Sequence, residues 1–309
     1  MSYPYLSDVV RALTGLDLPL PFATFGILVA CAMFAAAGCL GAELRRLYEA
    51  GALLPGRRRV RGRDGSEDWV VKPPHELVSN LTMLVMFAGI VGARLFHILE
   101  NTAQFQADPW SMIFSRAGLS VFGGLIVGTL AGLVYVRRWQ LPVRPMLDAV
   151  APAMMLGYAI GRLGCQVAGD GDWGIAANMA LKPDWLPTWF WAQTYDNNIY
   201  GEVIAAPGVY PTPVYESFMA LGCFALLWAL RRHPFGTGWL FSLYLLLVGA
   251  ERLLVEQIRV NPPYDIGGVH ATQAELIAAA LIVTGIVGLV LLGRRKEVRP
   301  GTGAARSTA

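Results

Sequence analysis

Seven stretches of the chain stay apolar for close to the number of residues a helix needs to cross a bilayer. That pattern constrains the fold more than any other feature. A helix spans the hydrocarbon in about 20 residues. The stretches lie at about 22–43, 77–99, 119–136, 146–166, 213–230, 237–255 and 272–293. The second, fourth and sixth carry charges, so hydropathy alone shortens or misses them. Only 15% of the 309 residues are charged and 55% are hydrophobic. A soluble chain has roughly a quarter of its residues charged, so this one lacks the charge to cover a water-facing surface. The expected fold is an all-α polytopic membrane protein: seven transmembrane helices with a small irregular outer head segment.

Charge placement sets the expected orientation. Arg45, Arg46, Arg57, Arg58, Arg59, Arg61, Arg63 and Lys72 fall between the first two spans. Arg137, Arg138 and Arg144 fall between the third and fourth, Arg231 and Arg232 between the fifth and sixth, and Arg294, Arg295, Lys296, Arg299 and Arg306 after the seventh. Only Arg11, Arg116 and Lys182 sit clearly in segments on the other side. Basic residues collect on the cytoplasmic side. The expected topology has the N-terminus outside and the C-terminus in the cytoplasm. Residues 1–296 then form one membrane domain, with an outer head at about 167–212 and a cytoplasmic loop of little core at about 44–76. The tail at 297–309 is expected to be disordered. No signal peptide is evident, and residues 5–16 suit a short interfacial helix. A short hairpin is expected near 192–204. The run RRRVRGR at 57–63 follows the charge topology, and no nucleic-acid partner is expected. Cys31, Cys39, Cys165 and Cys223 form no CxxC pair, so no zinc or redox motif is readable.

Ionisable residues inside a membrane are costly and default to function. Here they are Arg94 and His97 in the second span, Asp148 and Arg162 in the fourth, Glu216 at the start of the fifth, Glu251, Arg252, Glu256 and Arg259 at the end of the sixth, and Glu275 in the seventh. Except for Asp148, the topology places them near the outer ends of five spans. Arg252 and Glu256 share a helical face, and two arginines to one glutamate on that span suggest a cationic surplus. A lipid phosphate is a fitting partner, because the guanidinium fork donates two parallel hydrogen bonds to phosphate oxygens. In the stretch GRLGCQVAGDGDWG, at 161–174, the glycines let the backbone turn sharply and approach a head group. The competing reading pairs the arginines with Glu216, Glu256 and Asp170 as structural glue. A channel or transporter fits less well, because the polar residues gather on one side rather than lining a path through the midplane.

The motifs GARLFHILEN, FGGLIVG, GRLGCQVAGDGDWG, YPTPVYES, ERLLVEQIR and ATQAELIAA, in this order, resemble the prolipoprotein diacylglyceryl transferase family. The resemblance implies a seven-helix bacterial inner-membrane enzyme. It would move a diacylglyceryl group from phosphatidylglycerol to the lipobox cysteine of a prolipoprotein, with glycerol phosphate leaving. It implies Arg162 and Arg252 as phosphate-binding arginines, Glu256 as the acid that positions an arginine, and Asp170 close to the family's loop glutamate. Arg94, Gly123, Gly124, Gly161, Gly164, Cys165, Gly174, Glu216 and Arg259 are the expected substrate-binding positions. No cofactor or metal is implied. The chain departs from the family pattern at Phe25, Phe122, Cys165 and Val248, where the family has tyrosine, histidine, asparagine and tyrosine. The phosphate half of the site survives and the proton-handling half is altered. Asp170 or Asp172 is the expected base, ahead of His97. A different acceptor, or a non-catalytic phospholipid-binding role, stays open.

Overall fold

The computed structural model describes residues 2–61, 67–114, 120–262, 264–266 and 269–294. The tail at 297–309 and Arg116 lie outside the described residues. Each of the seven apolar stretches is helical. A short amphipathic helix, α1 (Leu6–Thr14), precedes them, within the span expected for an interfacial helix. Then follow α2 (Thr24–Glu49) and α3 (Val78–Glu100), the short α4 (Thr102–Ala107) and α5 (Pro109–Phe114), α6 (Val121–Arg138), α7 (Val143–Ala168), the one-turn α8 (Thr188–Trp191), α9 (Thr212–Leu230), α10 (Trp239–Glu256) and α11 (Gln273–Leu292). Among the described residues, α2, α3, α6, α9 and α11 are long and apolar enough to cross a membrane. Helices α7 and α10 carry the charges already noted. Large side chains such as Phe34, Phe87 and Val121 stand exposed on these helices. A soluble surface does not tolerate so much contiguous apolar area, and the protein is a multi-pass membrane protein.

Helix α7 packs between α2 and α9, α10 packs along α11, and α3 pairs with α6. One buried cluster joins Leu40 and Leu44 of α2 to Leu53, Leu77, Val136, Trp139 and Met146. A second joins Met155 and Ala159 of α7 to Ala220, Leu227 and Leu240. Helices α3 and α6 cross through glycine. A Cβ on Gly92 would sit 2.5 Å from the Gly123 carbonyl oxygen, and one on Gly124 would sit 3.3 Å from the Gly89 carbonyl oxygen. Small residues let membrane helices approach this closely. Gly123 and Gly124, expected to bind substrate, therefore serve a helix crossing.

Two segments differ from expectation. The stretch at 44–76 is not a bare loop. Helix α2 continues to Glu49, and β1 (Gly56–Arg61) pairs antiparallel with β2 (Glu67–Lys72), Arg59 opposite Trp69. The Arg57 amide donates to the Trp139 carbonyl at 2.9 Å and fastens this hairpin to the end of α6. The head forms no hairpin at 192–204 among the described residues. Gln193 instead bridges to Val209, and the N-terminal residues thread in beside it, the Ser2 amide donating to the Asp196 carbonyl at 2.6 Å. A second small hairpin, β3 (Tyr264–Ile266) with β4 (Val269–Ala271), joins α10 to α11.

Asp148, the one acid away from the others, has a structural job. Its carboxylate accepts from the amides of Gly238, at 2.6 Å, and Phe241, at 2.9 Å. These are donors at the start of α10 that lack a partner within the helix.

Candidate active site

Arg162 lies in the last two turns of α7. Helix α7 ends where Gly169 takes a left-handed conformation (φ 62°), the usual way to stop a helix. The chain then returns through Asp170 and Asp172 to Gly174. A Cβ on Gly174 would meet the Ile258 carbonyl oxygen at 2.5 Å, so only glycine allows the loop to lie against the turn that follows α10. The Ile175 amide donates to that same carbonyl at 2.8 Å. Residues far apart in sequence, Asp172 and Arg259, are thereby brought together.

Asp172 is the bridge. One carboxylate oxygen pairs with Arg162 and the other with Arg259. Its main-chain carbonyl accepts from the Thr212 hydroxyl. Glu216, at the start of α9, is fully buried. Its Oε2 lies 3.2 Å from Arg162 Nε, and its Oε1 lies 3.5 Å from Arg259 Nη1 and 3.6 Å from Arg252 Nη1. Arg252 also pairs with Glu256 at 2.9 Å. Glu256 in turn accepts from Asn261 Nδ2 and the Thr272 hydroxyl, each at 2.7 Å. Three guanidinium groups from α7, α10 and the following turn thus converge on one buried carboxylate. The expected cationic surplus is corrected: Asp172, Glu216 and Glu256 balance the three arginines.

The two loop aspartates are not equivalent. Burial pushes the Asp172 carboxyl up, but Arg162 and Arg259 outweigh it and hold the group below the usual carboxylate range. Burial pushes Asp170 up, with Asp172 adding to it, and only weaker hydrogen bonding and Arg162 oppose. Asp172 is an anchored anion. Asp170 is the carboxylate suited to hold a proton. The ligand atoms of Cys165, Asp170 and Asp172 all lie within 4.8 Å of one another, a spacing a metal could use. Both Asp172 oxygens are, however, taken by guanidinium groups. Cys165 lies 3.9 Å from Arg162 Nη1.

Other expected positions are placed elsewhere. Arg94 Nη1 donates to the Met112 carbonyl at 3.2 Å and ties α3 to α5. His97 pairs with Asn101, one turn further along. Gly164 packs against Phe25 of α2, while Gly161 faces open space. Gly164 and Gly174 seat helix and loop against their neighbours.

Tyr158 and Glu251 were not singled out as site residues. The Tyr158 hydroxyl lies 3.3 Å from Glu216 Oε1 and 3.2 Å from Glu251 Oε1, and the Arg162 guanidinium lies over its ring. Its place four residues before Arg162, on the same helix face, was the available signal.

Residues 13–291 match the family described as prolipoprotein diacylglyceryl transferase. A phosphatidylglycerol–prolipoprotein diacylglyceryl transferase of Corynebacterium glutamicum is 30% identical over 238 residues, covering 72% of this chain and 71% of the relative. Enzymes of the same name from Leptospira interrogans and Parasynechococcus marenigrum are 32% and 31% identical over 59% and 72% of this chain, and 61% and 81% of their own lengths. With its arginines gathered at the ends of membrane helices and a match over nearly its whole length, the chain belongs to the prolipoprotein diacylglyceryl transferase family.

Proposed function

We propose that this protein transfers the diacylglyceryl group of phosphatidylglycerol to the lipobox cysteine of prolipoproteins in the bacterial inner membrane. One observation carries the reading: Arg162, Arg252 and Arg259 converge on Glu216 at one end of a bundle of lipid-facing helices. A phosphodiester sliding in from the bilayer reaches Asp172, the more exposed anion of the cluster, before the buried Glu216. It takes over the guanidinium forks of Arg162 and Arg252, which offset the charge that grows on the phosphate as the carbon–oxygen bond breaks. Arg259 and Glu256 hold the pair in position. Asp170, held in a poorly solvated place, takes the proton of the incoming thiol. The thiolate is the nucleophile, the thioether forms, and glycerol phosphate leaves.

The same reading places seven crossings with the N-terminus outside and the C-terminus in the cytoplasm. The chain to residue 296 is one membrane domain with its head on the outer face. Its partners are phosphatidylglycerol, the lipobox peptide and surrounding lipid. Phe122, where the family has histidine, favours a second reading in which the acceptor differs or the phosphate pocket only binds lipid.

The test uses purified protein, phosphatidylglycerol micelles and a lipobox peptide, with peptide mass and released glycerol phosphate as readouts. A diacylglyceryl mass gain that disappears in Arg252→Ala and Arg162→Ala is the expected result. No gain from wild-type protein that still binds phosphatidylglycerol would replace the transferase reading with the second one.

A further inference from the structure

Glu251 takes no part in the chemistry above, yet it is buried, 4% exposed, beside the arginine cluster. It precedes Arg252 and so faces a different side of α10. Among the described residues it forms no ion pair. Its partner is the Tyr158 hydroxyl, 3.2 Å from Oε1 and 3.4 Å from Oε2. That hydroxyl is also 3.3 Å from Glu216 Oε1.

A phenol has one proton to donate. Were both flanking carboxylates ionised, one would lack a donor. The charges point the same way. Asp172, Glu216 and Glu256 already match Arg162, Arg252 and Arg259, and Glu251 is the fourth acid. A buried carboxylate without a cation neutralises rather than stay charged. A proton on Glu251 completes the chain: Glu251 donates to the Tyr158 oxygen, and Tyr158 donates to Glu216. The groups facing Glu251 are Tyr158 and Arg162 from α7, Glu216 and Cys223 from α9, and Arg252 on its own helix. Helix α11 meets this stretch of α10 with Ala278 and Ile282.

We propose that Glu251 stores a proton and that Glu251, Tyr158 and Glu216 relay it to the phosphate of the bound lipid. The destination of the proton rests on the transferase reading; its storage does not. A phosphate that draws Arg162 and Arg252 toward itself leaves Glu216 ready to take the Tyr158 proton. The step balances. The thiol gives its proton to Asp170 and its electron pair to carbon. The carbon–oxygen bond breaks with its pair left on the phosphate oxygen. Tyr158 passes its proton to Glu216 and takes that of Glu251, Glu216 hands the proton it has received to the phosphate, and Glu251 is left ionised. Water then carries the Asp170 proton back to Glu251. Tyr158 and Glu251 act through Glu216 and are positioning residues.

Infrared difference spectroscopy in phosphatidylcholine nanodiscs tests storage without turnover. Wild-type protein minus Glu251→Gln should show the carbonyl stretch of a protonated carboxylic acid at neutral pH, shifted in deuterium oxide. Its absence would overturn the proposal. In the transferase assay, Glu251→Gln should lower kcat by about 100-fold, within the usual range for a proton-transfer group, with KM for phosphatidylglycerol unchanged. It should also remove the alkaline fall of the rate profile, since an acid that loses its proton at high pH no longer limits the rate. Tyr158→Phe should match it, the double variant should be no slower, and Glu251→Asp should recover part of the rate. A lower rate with an unaltered pH profile would make Glu251 a packing residue and overturn the relay. Inactive wild-type protein would sink the transferase reading, while the infrared result would still decide whether Glu251 is protonated.

Discussion

At the scale of single residues, Asp170 and Asp172 differ in what surrounds them. Asp172 is held by two arginines, which keep its carboxyl below the ordinary aspartate range despite burial. A carboxylate with a depressed folded-state pKa adds stability that is present above its unfolded value and lost as pH falls through the folded one. Asp172→Asn should therefore lower the melting temperature at neutral pH, by the equivalent of about 3 kcal/mol for a broken, largely buried pair. The difference from wild type should shrink below about pH 4. Thermal melting in detergent across that range checks it, and a gap that persists at low pH would contradict the pairing. Asp170 is shifted the other way, chiefly by burial. As a base it works once deprotonated, so the transfer rate should rise with pH through that elevated value. Asp170→Asn should erase the rise and slow turnover by about 10²-fold or more, while Asp172→Asn should keep its shape. Much at this scale was legible from sequence. Arg162, Arg252 and Arg259 stood out because charge in an apolar run needs a reason. Their partners were less so, since Asp172 reaches Arg259 only through the close approach at Gly174, and no spacing along the chain encodes that contact.

At the scale of elements, the long helices were readable because apolar length alone specifies them, and their ends fall within about three residues of the expected limits except at α2, which runs on to Glu49. The hairpins β1–β2 and β3–β4 were not, because short strands outside the apolar runs depend on what they lean against. Val70 and Gly56 owe their place to the buried Leu77 and Trp139. The pairing of α3 with α6 depends on Gly92 and Gly123 being backbone to backbone. Gly123→Leu should force these helices apart and destabilise the fold by about 1–3 kcal/mol, the usual cost of overpacking. Gly161→Ala, which meets nothing within 4 Å, should melt as the wild type does. Melting temperatures of the two variants, side by side, separate a helix crossing from a general intolerance of glycine replacement. Equal melting of both would show that the crossing has room to spare.

For the whole molecule, the arginine cluster and the head must share one side of the membrane if lipid and peptide are to meet there. The head residues Gly174 and Ile175 are tied by hydrogen bonds to the turn after α10 and to Tyr210, so the head is joined to the cluster. The basic hairpin β1–β2 is fastened instead to the far end of α6. On the proposed topology, with arginines retained inside, the two should be reached from opposite compartments. Val203 in the head is 97% exposed and Leu54 beside the hairpin is 74% exposed, so a cysteine at either is open to reagent. A membrane-impermeant maleimide applied to intact spheroplasts should label Val203→Cys and leave Leu54→Cys untouched until the membrane is permeabilised. The unsubstituted protein serves as the baseline, its Cys165 buried and the others lying within helices. Labelling of both positions before permeabilisation would put the basic hairpin outside and break the topology. Labelling of Leu54→Cys alone would invert it. The inverted result would remove the arginine cluster from the compartment in which lipobox cysteines emerge, and the proposed reaction with it.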